Sequence, residues 1–553
     1  MVEKETPIVK FKYDFDTSDT LREIYGILPY IVSTTDPELR YKTKWTNFVN
    51  INEDLVGKTI KCRVRLQRAR IKGKGGFLVL RDMMDTCQAC LFTGDKISAQ
   101  MVKFASSIPH ESLVDIEAEV VKAQKPVESC TVSLYELSLL KLFLVSDCIN
   151  VLPFQIEDAN RVGTHGAEDE PEKHVEITLE KKEVKEEKTA EEKKDEKKDK
   201  KDKKDKEKKE KQEKKNEKEE RKDIIVGSNT RFDHRVLDLR VAATQSLMRL
   251  QSGVGQLFRE FLYSQDFIEI HTPKLISGAS EGGTNVFKLK YFDKDACLAQ
   301  SPQLYKQMAI IGGIEKVFEI APVFRAENSN TGRHLCEFTM MDVEMTFKEH
   351  FFEVLDTING LFVHIFDGLK TKYKHELNIV ANQYPFELME YQKELVKLTF
   401  HEGVALLKEN GIEQNVNEDL DTFNEKKLGE IVKKKYGTDF YLLYRYPKSA
   451  RPFYTMPYAE DENFTNSYDA FIRGEEVLSG AQRIHDYDQL YKKVVDAKIN
   501  PETLKDYLNA FKLGAPAHGG CGIGLERIVK LFTSLTNVKR CCMFPRDPKR
   551  LTP

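Results

Sequence analysis

The stretch VFEIAPVFRAENSNTGRHLCEFTMMDVEM, residues 317–345, decides how this chain is read. Its two ends are rich in β-branched and aromatic residues with partial alternation. That predicts strands over Val317–Arg325 and Glu337–Met345. Between them, AENSNTGRH (326–334) is made of turn formers, so the stretch reads as strand, loop, strand. Residues two apart on a strand share a face. Phe338, Asp342 and Glu344 therefore point the same way, with Arg325 beside them across the hairpin. A fixed cation, an aromatic plate and carboxylates on a rigid sheet suit a nucleoside phosphate and a substrate ammonium. Taken alone, the same pattern also describes a half-exposed sheet face with surface charges.

Within it, FRAENSNTGRHLCEFTMMDVEM resembles motif 2 of the class II aminoacyl-tRNA synthetases, in the form found in cytosolic eukaryotic and archaeal aspartyl-tRNA synthetases. Four further stretches stand around it in the family's order: FIEIHTPKL (267–275), QSPQLYKQ (300–307), GEEVLSGAQRIHD (474–486) and GCGIGLERIVKLF (520–532). One such motif is a weak signal, whereas five in order over one domain are specific. The class I signatures HIGH and KMSKS are absent.

The resemblance implies a role for each stretch. Pro273 matches the proline of motif 1, whose helix and strand build the family's dimer interface. SGASEGG (277–283) matches a loop that closes over bound aspartate, with Glu281 near the substrate ammonium. Ser301 and Gln303 are expected at the backbone end of the amino acid. Lys306 is expected on its side-chain carboxylate, with Asp342 in the same site and Arg483 as a second cation. The chemistry agrees, because a neutral asparagine could not compensate a buried ammonium. Breaking a buried ion pair costs roughly 3–5 kcal/mol, enough for a hundredfold preference or more. An arginine fork also matches a carboxylate in two bonds.

For ATP, the resemblance implies Arg325, Glu327, His334, Phe338, Glu476 and Arg527. Phe338 and Arg527 would cover opposite faces of the adenine, with His334 near the terminal phosphates. Arg325 and Arg527 would be the catalytic cations, since positioning and charge stabilisation suffice and no nucleophilic side chain is implied. Asp469 and Glu476, with Ser479 close by, match the family's magnesium ligands, and such oxygen donors suit a hard Mg²⁺ shared with phosphates. Loop 328–334 would touch the tRNA acceptor end. The glycines of GCGIG would let backbone and ATP approach closely. The preceding AHGG does not read as a strand and the GxGxxG spacing fails, which argues against a dinucleotide fingerprint.

Outward from these motifs, residues 229–553 read as the catalytic domain. A helix is predicted over Val241–Ser264, with Leu247, Leu250, Val254, Leu257 and Phe261 at helical spacing. Residues 346–440 show helical patterns, such as Phe351–Leu369 and Gln392–Leu407, and read as scaffold. Upstream, residues 46–155 read as β. Ile60, Cys62, Val64 and Leu66 alternate with basic or polar neighbours, Phe77–Leu80 follows the turn GKGG, and Val114, Ile116, Ala118 and Val120 alternate with acids. Short strands with glycine turns suggest a small OB-fold barrel, which binds single strands by stacking bases on aromatics. Phe77 and Gln88 resemble the family's anticodon-reading pair. Read alone, Phe77 would be core and Gln88 an exposed turn.

Residues 156–228 form a hinge with an insertion. From Glu180 to Lys222 nearly every residue is Lys, Glu or Asp, and Val184 is the only sizeable apolar side chain. This segment is either a solvated single helix, with Glu–Lys pairs worth roughly 0.2–0.5 kcal/mol each, or disordered. It is either a basic arm for tRNA or a solvated spacer, and its interspersed acids favour the spacer. Residues 1–45 read as a polar extension with one helix near Ser18–Leu28.

Composition sets the outer bounds. The 553 residues leave room for two or three domains, and a net charge of −3 advertises no global nucleic-acid field. No apolar run is long enough to span a bilayer, and the charged start MVEKETPIVKFKYDFD is no signal peptide. Ten cysteines in a chain this long do not form a disulfide framework, and the lone CxxC, Cys87 and Cys90, lacks a second pair at zinc spacing. A reduced, cytoplasmic setting fits.

The expected whole is an α+β multidomain chain: an OB-fold barrel followed by a class II catalytic domain with a mostly antiparallel sheet flanked by helices. By resemblance it is a homodimer that joins L-aspartate to aspartate tRNA, using ATP and Mg²⁺. Rival readings are an asparaginyl enzyme, a relaxed enzyme that also charges asparagine tRNA, a tRNA-free asparagine-making ligase and a catalytically dead RNA-binding scaffold. Lys306 argues against the first and the barrel against the third. Arg325, Asp469, Glu476 and Arg527 argue against the fourth. Anticodon reading decides the second.

Overall fold

A computed structural model of the chain describes residues 19–28, 43–162, 225–277 and 285–553. The 180–222 insertion and Glu281 lie outside the described residues.

The N-terminal unit is a barrel of strands β2 (Thr59–Lys72), β3 (Gly75–Asp82), β4 (Asp85–Phe92), β5 (Leu113–Lys122) and β6 (Tyr135–Ser146), preceded by a short β1 (Tyr25–Ile27). β3 pairs with β2 and β4, β6 with β4 and β5, and β5 with β2, which closes the ring. Alternation drives closure: Ile60, Cys62, Val64 and Leu66 on β2 and Val114, Ile116, Ala118 and Val120 on β5 all point inward and are buried. A turn at Gly73 (φ +62°) and Lys74 joins β2 to β3, so β3 begins at Gly75, two residues before the expected Phe77.

The expected helix near Ser18–Leu28 is not what the described part of that segment forms. It is a short 3-10 turn, Arg22–Ile24, followed by β1, which runs parallel to β6 with Tyr25 buried. Pairing with an open strand edge outweighs a weak helical preference over so few residues.

The C-terminal unit is built on one eight-stranded sheet. Its strands are β7 (Ile268–Glu269), β11 (Lys316–Phe324), β12 (Glu337–Thr346), β13 (Val396–Thr399), β14 (Phe440–Tyr444), β15 (Ser467–Ile472), β16 (Glu475–Gln482) and β17 (His518–Gly524). The order is β13-β14-β15-β16-β17-β12-β11-β7, antiparallel except at the two outer pairs. A small sheet of β8 (Leu275–Ile276), β9 (Lys288–Tyr291) and β10 (Lys294–Leu298) lies beside it. Helices Ala242–Ser264, Phe352–Lys372 and Leu525–Phe532 pack on one face of the large sheet. Their contacts, Leu250, Val254, Phe258, Phe362, Phe366 and Ile528 among them, form the main core with Met341, Val343, Cys521 and Ile523.

Two local expectations are corrected. Gln392–Leu407 is not one helix: β13 occupies Val396–Thr399, and the helix Phe400–Glu409 starts only at a capping box made by Thr399 and Glu402. Of the AHGG at 517–520, the residues from His518 onward belong to β17, with its ladder on β12 and β16. Glycine lowers strand propensity, but here it is the only residue whose backbone fits so close to its neighbours. Among the described residues, no helix is long and apolar enough to cross a membrane.

Candidate active site

Strand alternation decides which residues reach the face away from the helices. On β12, Met341, Val343 and Met345 enter the core, so Phe338, Met340, Asp342 and Glu344 point to the other side. On β17, Cys521 and Ile523 enter the core, which leaves Gly520, Gly522 and Gly524 as a floor without side chains. A Cβ on Gly522 would sit 3.1 Å from Met340 Sδ and 3.4 Å from Asp342 Oδ1, and one on Gly520 would collide with the Val343 carbonyl. A cavity of about 340 Å³ lies over this floor. Its walls include Ser301, Gln303, Arg325, Glu327, His334, Phe338, Asp342, Glu476, Ser479, Arg483 and Arg527. Residues from four separated stretches of sequence thus meet in one space.

At one end is a buried charge chain. Lys306, on helix Gln303–Ile311, donates to Asp342 Oδ1 at 3.0 Å and to the carbonyls of Cys521 (3.2 Å) and Val343 (3.4 Å), and lies 3.2 Å from Glu344 Oε2. Arg483 forks onto Glu344, Nε to Oε1 at 2.9 Å and Nη2 to Oε2 at 3.1 Å, and also donates to the Gly520 carbonyl. Burial alone would raise Glu344, yet Arg483 and Lys306 together hold its carboxyl below the ordinary range. Asp342 and Arg483 reach the cavity wall, while Lys306 sits one layer beneath it. The cations therefore act on the cavity as one ordered network.

At the other end, Arg325 lies over the Phe338 ring, 5.4 Å from its centroid. Arg527 donates to the Glu476 carbonyl at 2.8 Å and stands 4.0 Å from its carboxylate. His334 Nδ1 meets Thr331 Oγ1 at 2.7 Å and Ser329 Oγ at 3.2 Å. Burial, with Arg527 and Arg333 nearby, lowers its pKa, so the ring is neutral at pH 7. The loop is anchored by Arg333, which donates to Glu425 at 2.6 Å and to Thr422 at 2.7 Å on helix Thr422–Tyr436. The region expected to be bare scaffold therefore supports the site.

The expected metal ligands are brought together, with an addition. Asp469 faces Ser479 in the β15–β16 register. Arg451 donates to Asp469 Oδ2 at 2.6 Å and to Ser479 Oγ at 3.3 Å, and its guanidinium stacks 3.9 Å from the Tyr446 centroid. Asp469 Oδ1 is buried with no hydrogen-bond partner among the described residues. Glu476 opens toward the cavity but is crowded by protein on its other sides, and that burial, with Asp469, raises its carboxyl. Among the described residues, no three His, Cys, Asp or Glu groups form a metal cage. An orphaned carboxylate oxygen, a second carboxylate and a hydroxyl fit a cation that takes its remaining ligands from phosphate and water.

Glu526 was not singled out by the sequence. It lies in the cavity wall, 5% exposed, accepting from the Thr339 amide at 3.1 Å. Burial pushes its carboxyl from 4.5 up to about 7. The folded pKa exceeds the unfolded one, so ionisation costs stability as the pH rises through this window. The cost is complete above about 7 and absent below about 4.5. Glu526→Gln should therefore stabilise the fold by up to about 3 kcal/mol near pH 8 and by nothing near pH 4. Denaturant midpoints at the two pH values check this, and a pH-independent difference would refute it.

Arg451 was also missed. Its only sequence signal is RPFYT (451–455), an arginine ahead of a proline and two aromatics, with no local cue that it would meet Asp469. Pro273 is exposed and outside the cavity. Phe77 and Gln88 are in the barrel. Phe77 is 40% exposed and packs edge-on against Phe92, and Gln88 lies on β4, not on a turn, donating to Glu136 at 2.5 Å.

Comparisons with known proteins identify the family. The family described as tRNA synthetases class II (D, K and N) matches residues 227–548. The chain is 43% identical to the cytoplasmic aspartate–tRNA ligase of Caenorhabditis elegans over 539 residues, covering 97% of this chain and 92% of that protein. It is 43% identical to the cytoplasmic aspartate–tRNA ligase of Homo sapiens over 535 residues, covering 97% and 96%. The solved aspartyl-tRNA synthetase of Entamoeba histolytica superposes with a TM-score of 0.80 at 38% identity, covering 100% of both chains.

Proposed function

We propose, from the premise that the chain belongs to the class II tRNA synthetases of the D, K and N group, a working assignment of its site to the aspartate–tRNA ligase reaction. The enzyme joins L-aspartate to tRNA, as its relatives' names state, activating it with ATP, and it works in the cytoplasm as theirs do. The observation that carries the site assignment is the ordered chain Asp342–Lys306–Glu344–Arg483 at the amino-acid end of the cavity.

In the first step, the aspartate α-carboxylate attacks the α-phosphorus of ATP and pyrophosphate leaves. Ser301, Gln303 and Glu281 hold the backbone end of the amino acid, and Asp342 orients Lys306. Arg483 and the Lys306 network receive the side-chain carboxylate. Arg325 neutralises charge on the α-phosphate as the bond forms. Phe338 stacks the adenine, with Arg527 covering its other face and reaching the γ-phosphate. Glu327 and the neutral His334 complete the nucleotide site. In the second step, the terminal hydroxyl of tRNA attacks the carbonyl carbon of the adenylate, the bond to the phosphate oxygen breaks, and AMP and the hydroxyl proton leave, with loop 328–334 guiding the acceptor end. Glu476, Ser479 and the free oxygen of Asp469 would hold Mg²⁺, which supplies charge neutralisation for the phosphates.

Residues 46–155 would read the anticodon, 156–228 form the hinge and 229–553 carry the chemistry, after an extension over 1–45. The partly exposed Phe77 would stack one base and Gln88 would hydrogen-bond another. Phe77→Ala should weaken tRNA charging by about tenfold, the value of one stacked base, and leave pyrophosphate exchange unchanged. Equal losses in both assays would place Phe77 in the fold instead. A homodimer through motif 1 is supported by the exposed apolar side chains of Ile268 and Leu275, which flank Pro273 in sequence.

The deciding experiment is ATP–pyrophosphate exchange without tRNA, comparing aspartate with asparagine. Exchange with aspartate alone is expected. Exchange with asparagine would overturn the assignment of Lys306 and Arg483.

A further inference from the structure

The barrel meets the catalytic unit through the β3–β4 end and one carboxylate. Met84 is buried against the long helix Ala242–Ser264, with Ser246 Oγ donating to its Sδ at 3.2 Å, and Arg249 reaches Met83 Sδ at 3.3 Å. Beside this contact lies Glu111, in the turn before β5. It has φ +67°, a left-handed conformation that residues with a Cβ rarely adopt, and it is 2% exposed. Its Oε2 accepts from Arg81 of β3 and, at 3.3 Å, from Arg240 of the catalytic unit. Arg81 also donates to the Arg240 carbonyl at 3.1 Å. The Glu111 backbone is held from both sides, its amide by the Leu66 carbonyl at 2.7 Å and its own carbonyl by Arg65 at 2.9 Å. A strained turn fixed this firmly places one carboxylate at the seam between the units.

The strand geometry adds a second element. Leu78 and Leu80 point into the barrel, so Phe77, Val79 and Arg81 share the outer face of β3. Gln88 is the cross-strand partner of Val79. The Phe77–Gln88 pair and the seam arginine therefore occupy one sheet face, Phe77 about 13 Å and Gln88 about 7 Å from Arg81 along the strand.

We infer that Glu111 is a positioning residue: by sharing one oxygen between Arg81 and Arg240, it holds the base-reading face of the barrel at one orientation on the catalytic unit. The inference rests on the aspartate–tRNA reading given above. A tRNA must engage both units at once. A fixed orientation makes the second contact intramolecular at no further ordering cost, and a loose one lowers its effective concentration.

The test uses the full chain with Glu111→Gln, Arg240→Met and the double change. Arg240→Met leaves the Glu111–Arg81 pair inside the barrel intact, so it does not depend on how the barrel tolerates a change at Glu111. Expected are an about tenfold weaker Kd for whole aspartate tRNA, an unchanged Kd for its isolated anticodon stem-loop, and exchange without tRNA within about twofold of the unsubstituted enzyme. The double change should be no worse than the worse single change, and Arg240→Lys should restore most of the affinity. Parallel loss of stem-loop binding would make Glu111 a support of the barrel alone. Loss of exchange would make it a support of the catalytic unit. Unchanged whole-tRNA affinity would place the orientation elsewhere. Each of these results overturns the inference. Lack of exchange in the unsubstituted protein would remove the functional reading instead, while the two binding measurements, which need no catalysis, still decide the role of Glu111.

Discussion

Lys306→Met should lower kcat/KM for aspartate in pyrophosphate exchange by at least about a hundredfold and leave ATP binding nearly unchanged. The side chain is 2% exposed, and methionine keeps most of its volume, so packing changes little. Its charge is what disappears. Glu344 would then keep Arg483, while Asp342 would lose the lysine that ties it into this chain of ion pairs. Two buried carboxylates beside one cation repel an incoming carboxylate, or one of them takes up a proton and the network loses its order. The nucleotide end is built from other residues: Arg325 over the Phe338 ring, His334 on Thr331, and Arg527 on the Glu476 carbonyl. Exchange kinetics with varied aspartate, and calorimetry with ATP alone, distinguish the two ends. An unchanged kcat/KM for aspartate would remove Lys306 from the specificity argument, and an equal loss of ATP binding would make it a general support of the cavity.

Arg325→Ala should lower the single-turnover rate of adenylate formation by about 10²–10³, the usual loss when one preorganised donor to a developing charge is removed. Arg325 stands at the end of β11 with its amide bonded to the Cys336 carbonyl at 2.9 Å, so the strand pair holds its backbone in place. Its guanidinium lies over Phe338 at the cavity wall. A group held in this way needs no reorganisation when charge appears on the α-phosphate. Arg325→Lys should recover only part of the rate, because a point charge cannot reproduce a planar fork. The melting temperature should move little, since the side chain is only half-buried. A rate within tenfold of the unsubstituted enzyme would reassign Arg325 from catalysis to nucleotide binding.

Much of the chain was legible in its sequence because the relevant forces act locally. The alternation of Met341, Val343 and Met345 with Phe338, Met340, Asp342 and Glu344 separates core from cavity without any knowledge of partners. The same holds for Ile60 to Leu66 in the barrel and for the apolar stripe of Ala242–Ser264. Errors fell where a neighbour outweighed local preference. Tyr25–Ile27 became a strand because β6 offered an edge, Val396–Thr399 did so beside β14, and the glycines from Gly519 did so between β12 and β16.

The sequence by itself determined which residue types stand on which face of each strand, and its motifs named the family. Tertiary structure alone decided which charges meet. Glu344 and Arg483 are 139 residues apart, Lys306 and the Cys521 carbonyl 215, and Glu111 and Arg240 129. It also set Arg451 against Asp469 and raised Glu526 by enclosing it. The physical reason is that face and periodicity follow from backbone geometry within a few residues. Ion pairing and desolvation depend on distance in space, which only the closed sheet establishes.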